Sequence, residues 1–384
     1  MKIIDNIHYI GVNDYDLDLF EGQYPLPNGM AYNSYVIIDE KIAVMDTVDF
    51  NFHNEWLNNL EAVLNNRLPD YLVIHHMEPD HSASLKVFLT KYPKTIVVGN
   101  KKVLQMIGQF FPKLNIEDRF MEVKEAETLN LGSNLLTFYF APMVHWPEVM
   151  LTYEGKNKVL FSADAFGKFG ALDYEEEWVN EARRYYIGII GKYGKQVQNI
   201  LKKVSVLEID YICSLHGPVL KDNIDYHIDL YNKWANYESE ASGVTIAYCS
   251  MYGNTKEAAM LLYKKLKEEN QEVAIFDLAR SDVFGAIASA FKYDKLVLAS
   301  PTYNTAVLPF MDNFINGLVS RNYSGRKIGI IENGSWAITA AKKMKEAFLN
   351  SSNIEFLEPI VSIRSSIAEV NLDEIEQLKL ALLK

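Results

Sequence analysis

Cysteine is nearly absent from this chain. Its 384 residues include two cysteines, Cys213 and Cys249, which lie far apart and form no CxxC pair. The sequence therefore excludes a disulfide scaffold, a cysteine-ligated iron–sulfur cluster and a fused rubredoxin-type iron site. Both cysteines lie in apolar, strand-like segments, so we expect small buried side chains.

Long hydrophobic runs and an excess of positive charge are also missing. No segment approaches the ~18 apolar residues of a membrane span, and the Met1-Lys2-Ile3-Ile4-Asp5 start lacks the apolar core of a secretory signal. The formal net charge is −12, which disfavours nucleic acid and anionic membranes as partners. These absences predict a soluble, cytoplasmic protein.

The sequence divides into two parts with different patterns. In the first part, short strand-like segments follow one another closely between helical ones, including a long helix predicted over 174–204, which suggests an α/β sandwich. The polar segment 237–243 is typical of a linker. After it, five strands, the last predicted over 354–363, alternate with helices, as in a small parallel sheet covered on both faces. We therefore expect domains 1–242 and 243–384.

Imidazoles and carboxylates are concentrated directly after the apolar, strand-like segment 71–74 and before a predicted helix start at 82. Five such side chains fall within seven positions: His75, His76, Glu78, Asp80 and His81. Burying these groups is costly unless something binds them. A metal centre is the simplest candidate.

Three further candidate ligands, His145, Asp164 and His216, each follow a predicted strand. Strand ends can deliver side chains to one rigid site. Together with His76, Glu78, Asp80 and His81 they make seven candidates, which is too many for one tetrahedral metal and suits two. The remaining histidines lack such support and are expected to be structural or at the surface: His8, His53, His75 and His227.

The ligand types indicate which metals fit. Imidazoles mixed with carboxylates suit non-haem iron, manganese or zinc. Glu78, Asp80 and Asp164 supply three negative charges against four positive charges from two divalent ions, so one bridging hydroxide would complete neutrality. Asp164 is our choice for the carboxylate that reaches both metals.

The HxExDH pattern, followed by His145, Asp164 and His216, resembles the metallo-β-lactamase-like domain of flavodiiron proteins. Hydrolytic relatives carry HxHxDH and usually bind zinc, whereas Glu78 stands where the resemblance implies a diiron site. The resemblance implies one iron held by His76, Glu78 and His145, a second held by Asp80, His81 and His216, and Asp164 between them.

The second part contains a loop that could hold an anion. Ser250-Met251-Tyr252-Gly253-Asn254-Thr255 joins a predicted strand to a helix, and its hydroxyls, backbone N–H groups and helix N-terminus form an anion cradle. No GxxxxGK[ST] pattern is present, so a nucleoside triphosphate loop is disfavoured. The loop resembles the flavodoxin phosphate loop, which binds the monophosphate of FMN.

Two more loops fall beyond the carboxyl ends of predicted strands, where such sheets bind ligands. They are Ser300-Pro301-Thr302-Tyr303-Asn304-Thr305, in which Pro301 to Asn304 are the candidate contacts, and Asn333-Gly334-Ser335-Trp336. Each offers an aromatic face and polar groups. The flavin ring needs stacking faces and edge hydrogen bonds. The third loop has less glycine and fewer aromatics than the flavodiiron family usually shows.

The resemblance covers almost the whole chain and implies a metallo-β-lactamase-like αββα sandwich followed by a flavodoxin-like, doubly wound, five-stranded parallel sheet. It implies reduction of dioxygen to water, nitric oxide to nitrous oxide, or both, by two irons with a bridging hydroxide or oxygen, and FMN. Tyr24, Tyr185 and Tyr186 are candidates for hydrogen bonding around the metals, with aromatic packing as the alternative for each.

The resemblance also implies a head-to-tail homodimer, or a dimer of dimers, with one chain's FMN facing its partner's irons. A separate rubredoxin is the expected electron donor, and a reduced deazaflavin coenzyme is the alternative. Dioxygen and nitric oxide remain equally open as substrates, because both need the same ligands.

Two other functions are compatible with parts of the sequence. One is a zinc-dependent hydrolase of the metallo-β-lactamase fold with a flavodoxin-like electron-transfer domain, which Glu78 disfavours. The other is an electron-transfer flavoprotein with a purely structural first domain. It is disfavoured because seven ionisable side chains would then be buried without a metal.

Overall fold

A computed structural model describes residues 1–384, which form two compact units, Met1–Asn232 and Lys233–Lys384. The helix Ile224–Ala235 crosses the division, and the first strand of the second unit starts at Ala241. The boundary expected between 242 and 243 remains a prediction. None of the helices combines the length and the apolar character that a membrane span requires.

The first unit is rich in short strands. Its strands are β1 (Lys2–Ile4), β2 (Ile7–Tyr9), β3 (Val12–Asp14), β4 (Leu19–Phe20), β5 (Tyr24–Pro25), β6 (Met30–Tyr32), β7 (Tyr35–Ile38), β8 (Ile42–Met45), β9 (Tyr71–Val73), β10 (Ile96–Gly99), β11 (Phe120–Glu122), β12 (Thr128–Asn130), β13 (Leu135–Phe140), β14 (Met150–Glu154), β15 (Val159–Phe161) and β16 (Tyr211–Cys213). Its helices are α1 (His53–Leu64), α2 (Pro79–Ser82), α3 (Leu85–Lys91), α4 (Lys101–Phe110), α5 (Trp178–Tyr185), α6 (Gly194–Val204) and α7 (Ile224–Ala235).

Two sheets form the sandwich of the first unit. One has the order β1-β2-β7-β8-β9-β10-β11 and the other β12-β13-β14-β15-β16. Apolar side chains of both sheets, such as Val73 and Val98 from the first and Phe138 and Phe161 from the second, share one buried core. Helix α4 packs against β10 and α6 against β13, which gives the expected αββα layers.

The second unit alternates strands and helices. Its strands are β17 (Ala241–Tyr248), β18 (Val273–Asp277), β19 (Tyr293–Tyr303), β20 (Ala306–Val307), β21 (Arg326–Asn333), β22 (Ile354–Phe356) and β23 (Val361–Ile363). Its helices are α8 (Asn254–Glu268), α9 (Val283–Lys292), α10 (Pro309–Val319), α11 (Ala340–Ala347) and α12 (Glu369–Leu382).

The sheet of the second unit is doubly wound. The parallel order is β18-β17-β19-β21-β22, with β23 also paired to β21 and the short β20 antiparallel to β19. Val244 and Ile246 point into a core shared with α8 and α12. Thr245, which alternates with them, bonds Ser289 of α9 at 2.8 Å. Helices therefore cover both faces, as the βα alternation predicts.

Two predicted elements differ from the structure. The strand expected over 354–363 is two strands, β22 and β23, and Pro359 lies between them, where its missing N–H cannot support a continuous ladder. The helix expected over 174–204 starts at Trp178. It is interrupted by a π-helical segment, Tyr186–Ile190, and a 3₁₀ turn before α6.

Candidate metal centre and ligand cleft

Four segments that follow strands of the two sheets bring the seven predicted ligands together. The segment after β9 carries His76, Glu78, Asp80 and His81, and His145 lies between β13 and β14. Asp164 follows β15, and His216 follows β16. Since β15 and β16 are parallel neighbours, their carboxyl ends meet at one edge of the sheet.

The segment after β9 is held by the chain's own polar groups. Pro79 occupies the first position of α2, where a missing N–H costs nothing. The His81 N–H donates to the Glu78 carbonyl at 2.9 Å, and the Thr47 hydroxyl donates to the His81 carbonyl at 2.8 Å. The side chains of Asp80 and His81 are therefore fixed beside each other on one turn of helix.

His76, Glu78 and His145 converge on one point. The Nε2 atoms of His76 and His145 are 3.3 Å apart, and Glu78 Oε2 lies 3.1 Å from the first and 3.0 Å from the second. Ligand atoms ~2.1 Å from a metal are about 3.0 Å apart in octahedral and about 3.4 Å apart in tetrahedral geometry. These three donors have the spacing of ligands around one metal.

Asp80, His81 and His216 form a second group of the same kind. The Nε2 atoms of His81 and His216 are 3.0 Å apart, and Asp80 Oδ2 lies 3.2 Å from His81 Nε2 and 3.3 Å from His216 Nε2. The sequence prediction placed these three residues on the second metal, and the structure brings them together.

Asp164 lies between the two groups. Its Oδ2 is 3.0 Å from His145 Nε2 and 3.4 Å from His76 Nε2. Its Oδ1 is 3.4 Å from His81 Nε2 and 3.9 Å from His216 Nε2. One oxygen faces each group, which is the arrangement that a bridging carboxylate requires.

The buried polar atoms of this cluster fit a metal. All four side-chain oxygens of Asp80 and Asp164 are buried without a hydrogen-bond partner, and buried polar groups are normally paired. Burial opposes ionisation of Asp164, but the adjacent imidazolium groups, His76 first, hold its pKa well below the usual value. Anionic oxygens are therefore aimed at the two points where the imidazole nitrogens converge.

The non-ligating nitrogens of two imidazoles are also fixed. His76 Nδ1 donates to the buried carboxylate of Glu148 at 2.8 Å, and His216 Nδ1 donates to the Ala31 carbonyl at 2.8 Å. Asn33 holds the His216 loop by donating to the Gly217 carbonyl at 2.7 Å. Such contacts select the tautomer that leaves Nε2 free for a metal.

His75 lies outside both groups. Its Nδ1 donates to the buried carboxylate of Asp46, and its Nε2 lies 2.7 Å from the Thr152 hydroxyl oxygen. Both ring nitrogens are thus satisfied by protein groups, and the side chain supports the strand end from within the core.

The three candidate tyrosines have different surroundings. Tyr24 donates its hydroxyl hydrogen to the Gly188 carbonyl at 2.8 Å, and Tyr186 packs edge-on against Tyr231. Tyr185 is fully buried, its ring centroid is 5.4 Å from that of His216, and its hydroxyl has no hydrogen-bond partner. Burial raises the pKa of Tyr185 well above its usual value, so the hydroxyl stays protonated.

A cavity of about 320 Å³ lies beside the cluster, with Glu78, Pro79 and Asp80 among its lining residues. Phe20 and Tyr32 also line it. The cavity thus borders one acidic residue of each ligand group.

A cleft of about 380 Å³ lies at the carboxyl end of the parallel sheet in the second unit. Twelve of the fourteen predicted cofactor-binding residues line it: Ser250, Met251, Tyr252, Asn254, Thr255, Pro301, Thr302, Asn304, Asn333, Gly334, Ser335 and Trp336. Gly253 and Tyr303 do not line it. Gly253, at φ +101°, occupies a conformation that suits glycine and starts α8, and its N–H donates to the Ser250 hydroxyl at 3.1 Å.

Sequence reasoning missed three residues that also line the cleft, Thr305, Ala337 and Ser365. Ser365 follows β23 at the same edge of the sheet, so the strand-end rule could have found it. Its hydroxyl lies 2.7 Å from that of Ser335 and connects it to the third predicted loop.

Comparisons with known proteins match a different family model to each of the two units. The model of the ODP family beta lactamase matches residues 30–217, and that of a flavodoxin domain matches residues 245–357. The chain is 30% identical to an anaerobic nitric oxide reductase flavorubredoxin from Aliivibrio fischeri, over 88% of this chain and 70% of that protein. The chain belongs to the flavodiiron protein family.

Solved structures of flavodiiron proteins have the same fold. The flavodiiron protein from Giardia intestinalis aligns with a TM-score of 0.90 at 25% identity, covering 99% of this chain and 95% of that one. A rubredoxin oxygen:oxidoreductase from Desulfovibrio gigas aligns with a TM-score of 0.91 at 23% identity, covering 100% of this chain and 97% of that one. The flavodoxin domain implies FMN, and flavodiiron proteins bind a diiron centre.

Proposed function

We propose that this flavodiiron protein reduces dioxygen to water, nitric oxide to nitrous oxide, or both, and so removes these gases from the cytoplasm. The observation that carries the proposal is the pair of ligand groups, each with two imidazoles and one carboxylate, on either side of Asp164. Two irons in these groups and FMN in the cleft would together supply up to four electrons. With four protons from solvent, four electrons reduce O2 to two waters; with two protons, two electrons reduce two NO to N2O and one water.

The protein's own residues would prepare the site for this reaction. His76, Glu78 and His145 would hold one iron, and Asp80, His81 and His216 the other, with Asp164 on both. The cavity beside Glu78 and Asp80 borders both ligand groups and would give a diatomic substrate a route to them. The protonated Tyr185 hydroxyl, buried beside His216 without a partner, is available to donate a hydrogen bond into the site.

For the flavin, we propose that the Ser250–Thr255 loop binds the phosphate at the N-terminus of α8, since backbone N–H groups there favour an anion. Tyr252 and Trp336, 92% and 80% exposed at the cleft, offer faces for the ring. We propose a separate rubredoxin as the electron donor, with a reduced deazaflavin coenzyme as the alternative.

The decisive experiment is anaerobic reduction of the purified protein, separate addition of O2 and NO, and measurement of gas consumption with iron and FMN content. We expect two irons and one FMN per chain and consumption of at least one gas. The His145→Ala variant should lose gas consumption and keep FMN reduction. His53→Ala is the matched control, because the hydrogen bond of the His53 ring is to the nearby Phe50 carbonyl. This variant should keep both gas consumption and FMN reduction.

Two results would contradict the proposal. Stoichiometric zinc with hydrolytic activity would favour the metallo-β-lactamase-fold hydrolase. Gas consumption unaffected by His145→Ala would favour an electron-transfer flavoprotein with a structural first domain.

A further inference from the structure

The two ligand groups have the same composition. Each consists of two imidazoles and one carboxylate, and each faces one oxygen of Asp164. Two irons bound there would therefore meet the same types of ligand. Beyond the small differences in ligand spacing, a further difference between the irons can come from the groups that hydrogen-bond the ligands.

The ring nitrogen of His76 that faces away from the proposed metal, Nδ1, contacts a buried carboxylate. Glu148 is 0% exposed, and its Oε1 accepts hydrogen bonds from His76 Nδ1 and the Met77 N–H, both at 2.8 Å. Its Oε2 has no hydrogen-bond partner. Asn100 donates to the Glu148 backbone carbonyl at 2.6 Å and holds the segment in place. Apart from the imidazole, the one hydrogen-bond donor to the Glu148 carboxylate is the Met77 N–H.

The corresponding nitrogen of His216 contacts a neutral group. Its Nδ1 donates to the Ala31 backbone carbonyl, and His81 Nδ1, in the same group, has no hydrogen-bond partner. The buried carboxylate on this side, Asp14, accepts the Tyr32 hydroxyl at 3.0 Å and two backbone N–H groups, and no imidazole bonds it. Its charge is therefore dispersed over three donors.

A carboxylate on the Nδ1–H makes a ligating imidazole a stronger electron donor, and a nearby negative charge stabilises the higher charge on a metal. A neutral carbonyl does so less. We propose that Glu148, acting through His76 as a positioning residue, makes the two irons inequivalent. The iron held by His76, Glu78 and His145 then has the lower reduction potential. Such an iron would lose its electron first to the oxidant of a redox titration and would be the ferric ion of the half-oxidised centre.

This inference rests on the proposed diiron function, and a redox titration of the holoprotein tests it. The half-oxidised centre, one ferric and one ferrous ion, is counted by electron paramagnetic resonance, and Mössbauer spectra of ⁵⁷Fe-loaded protein report each iron. Wild type should show two separated one-electron potentials. Glu148→Gln keeps the side-chain shape and removes the charge. It should raise the lower potential by about 59 mV, the equivalent of a tenfold change in a one-electron equilibrium, and leave the higher one in place.

Glu154→Gln is the matched control. Glu154 is also 0% exposed, but its carboxylate accepts from the backbone N–H groups of Lys156 and Asn157 instead of an imidazole. Both potentials should stay unchanged in this variant. Glu148→Asp retains the charge and should retain most of the separation, which tests the proposal even if Glu148→Gln binds iron poorly.

Some results would overturn the proposal while leaving the function intact. One is that Glu148→Gln binds two irons and both reduction potentials stay unchanged. Another is that only the higher potential shifts. A third is that the two potentials are no longer separated in Glu148→Asp. A wild-type protein that binds no iron or consumes neither gas would instead refute the proposed function, and iron content is measured first to separate the two.

Discussion

At the scale of single residues, the imidazoles of the metal centre hold protons tightly when they face carboxylates alone. Burial by itself lowers the pKa of His81, but the charges of Asp80 and Asp164 outweigh it and raise that pKa to about 10. Burial likewise opposes protonation of His145, but the adjacent carboxylates of Asp164 and Glu78 outweigh it and raise that pKa to about 9. A metal binds only neutral imidazole, so protons and iron compete for the same nitrogens.

Iron loading should therefore depend steeply on pH. Both histidines are protonated below pH 9, so each must release a proton when iron binds, and the apparent affinity should rise about tenfold per pH unit for each proton released. The rise should level off above the pKa values. Anaerobic Fe²⁺ titrations of the metal-free protein from about pH 6 to about pH 9 measure this, and an affinity independent of pH over that range would contradict it.

The candidate ligands could be selected from the sequence because each follows a strand and has a side chain that is costly to bury, and the structure brings them together. Glu148 could not be predicted in this way. It lies 72 positions from His76 along the chain, and no spacing pattern connects a carboxylate to the imidazole that it bonds. The nearby His145 marks the segment as functional, but only the folded structure shows which imidazole Glu148 contacts.

At the scale of elements, one turn ties the two sheets of the first unit together. Asp39 follows β7 of one sheet, and its Oδ2 accepts from the Ser133 hydroxyl at 3.1 Å and the Asn134 N–H at 2.7 Å, just before β13 of the other sheet. Its Oδ1 accepts the Glu40 N–H at 2.8 Å. Burial opposes ionisation, but these hydrogen bonds, with that from the Asn134 side chain, lower the pKa of Asp39 to about 2.

Asp39→Asn should destabilise the first unit at neutral pH by about 1 kcal/mol, because an amide N–H group would face donors that now bond a carboxylate. The sign of the pH effect follows from the lowered pKa. The Asp39 carboxylate's contribution to stability is fully present above the pKa of 3.8 that the group has in the unfolded chain. It is lost as the pH falls toward 2. Urea midpoints at several pH values should show the variant's deficit shrinking below about pH 4.

Asp5→Asn is the control for this variant. Asp5 makes an exposed ion pair with Lys2, and such pairs contribute little to stability. Equal urea midpoints for Asp39→Asn and wild type at neutral pH would contradict the proposed link between the sheets.

Helices and strands could be predicted where the apolar residues follow a regular pattern along the sequence. The regular βα alternation of the second unit predicted its five-stranded parallel core, since each buried strand is apolar and bounded by helices. The prediction of one strand over 354–363 was wrong because apolar residues on both sides of Pro359 resemble a continuous strand. The interruption of the helix after α5 could not be predicted from the sequence either. Its residues have helical periodicity, although the backbone widens into a π-helical segment.

At the scale of the whole molecule, we expect a head-to-tail homodimer to be the active unit. Tyr252 and Trp336 are large aromatic side chains at the cleft and are mostly exposed. Exposed apolar surface of this kind often marks an interaction site, and a partner chain would cover it in such a dimer.

Specific gas-consuming activity should therefore fall when the loaded protein is diluted below its dimer dissociation constant, in parallel with the dimer fraction seen by sedimentation. FMN reduction by a chemical reductant should not fall, because it needs one chain only. A monomeric form, loaded with iron and FMN, that keeps full turnover would contradict the dimer prediction.

The strand-end origin of the ligands has a mechanical consequence for the first unit. One ligand-bearing segment leaves the seven-stranded sheet after β9, and the others leave the five-stranded sheet after β13, β15 and β16. An iron pair bound by them is a non-covalent cross-link between the two layers, and it closes a chain segment from His76 to His216. Its binding free energy is then also folding free energy, so the layers would hold their register most firmly when the catalytic metals are in place.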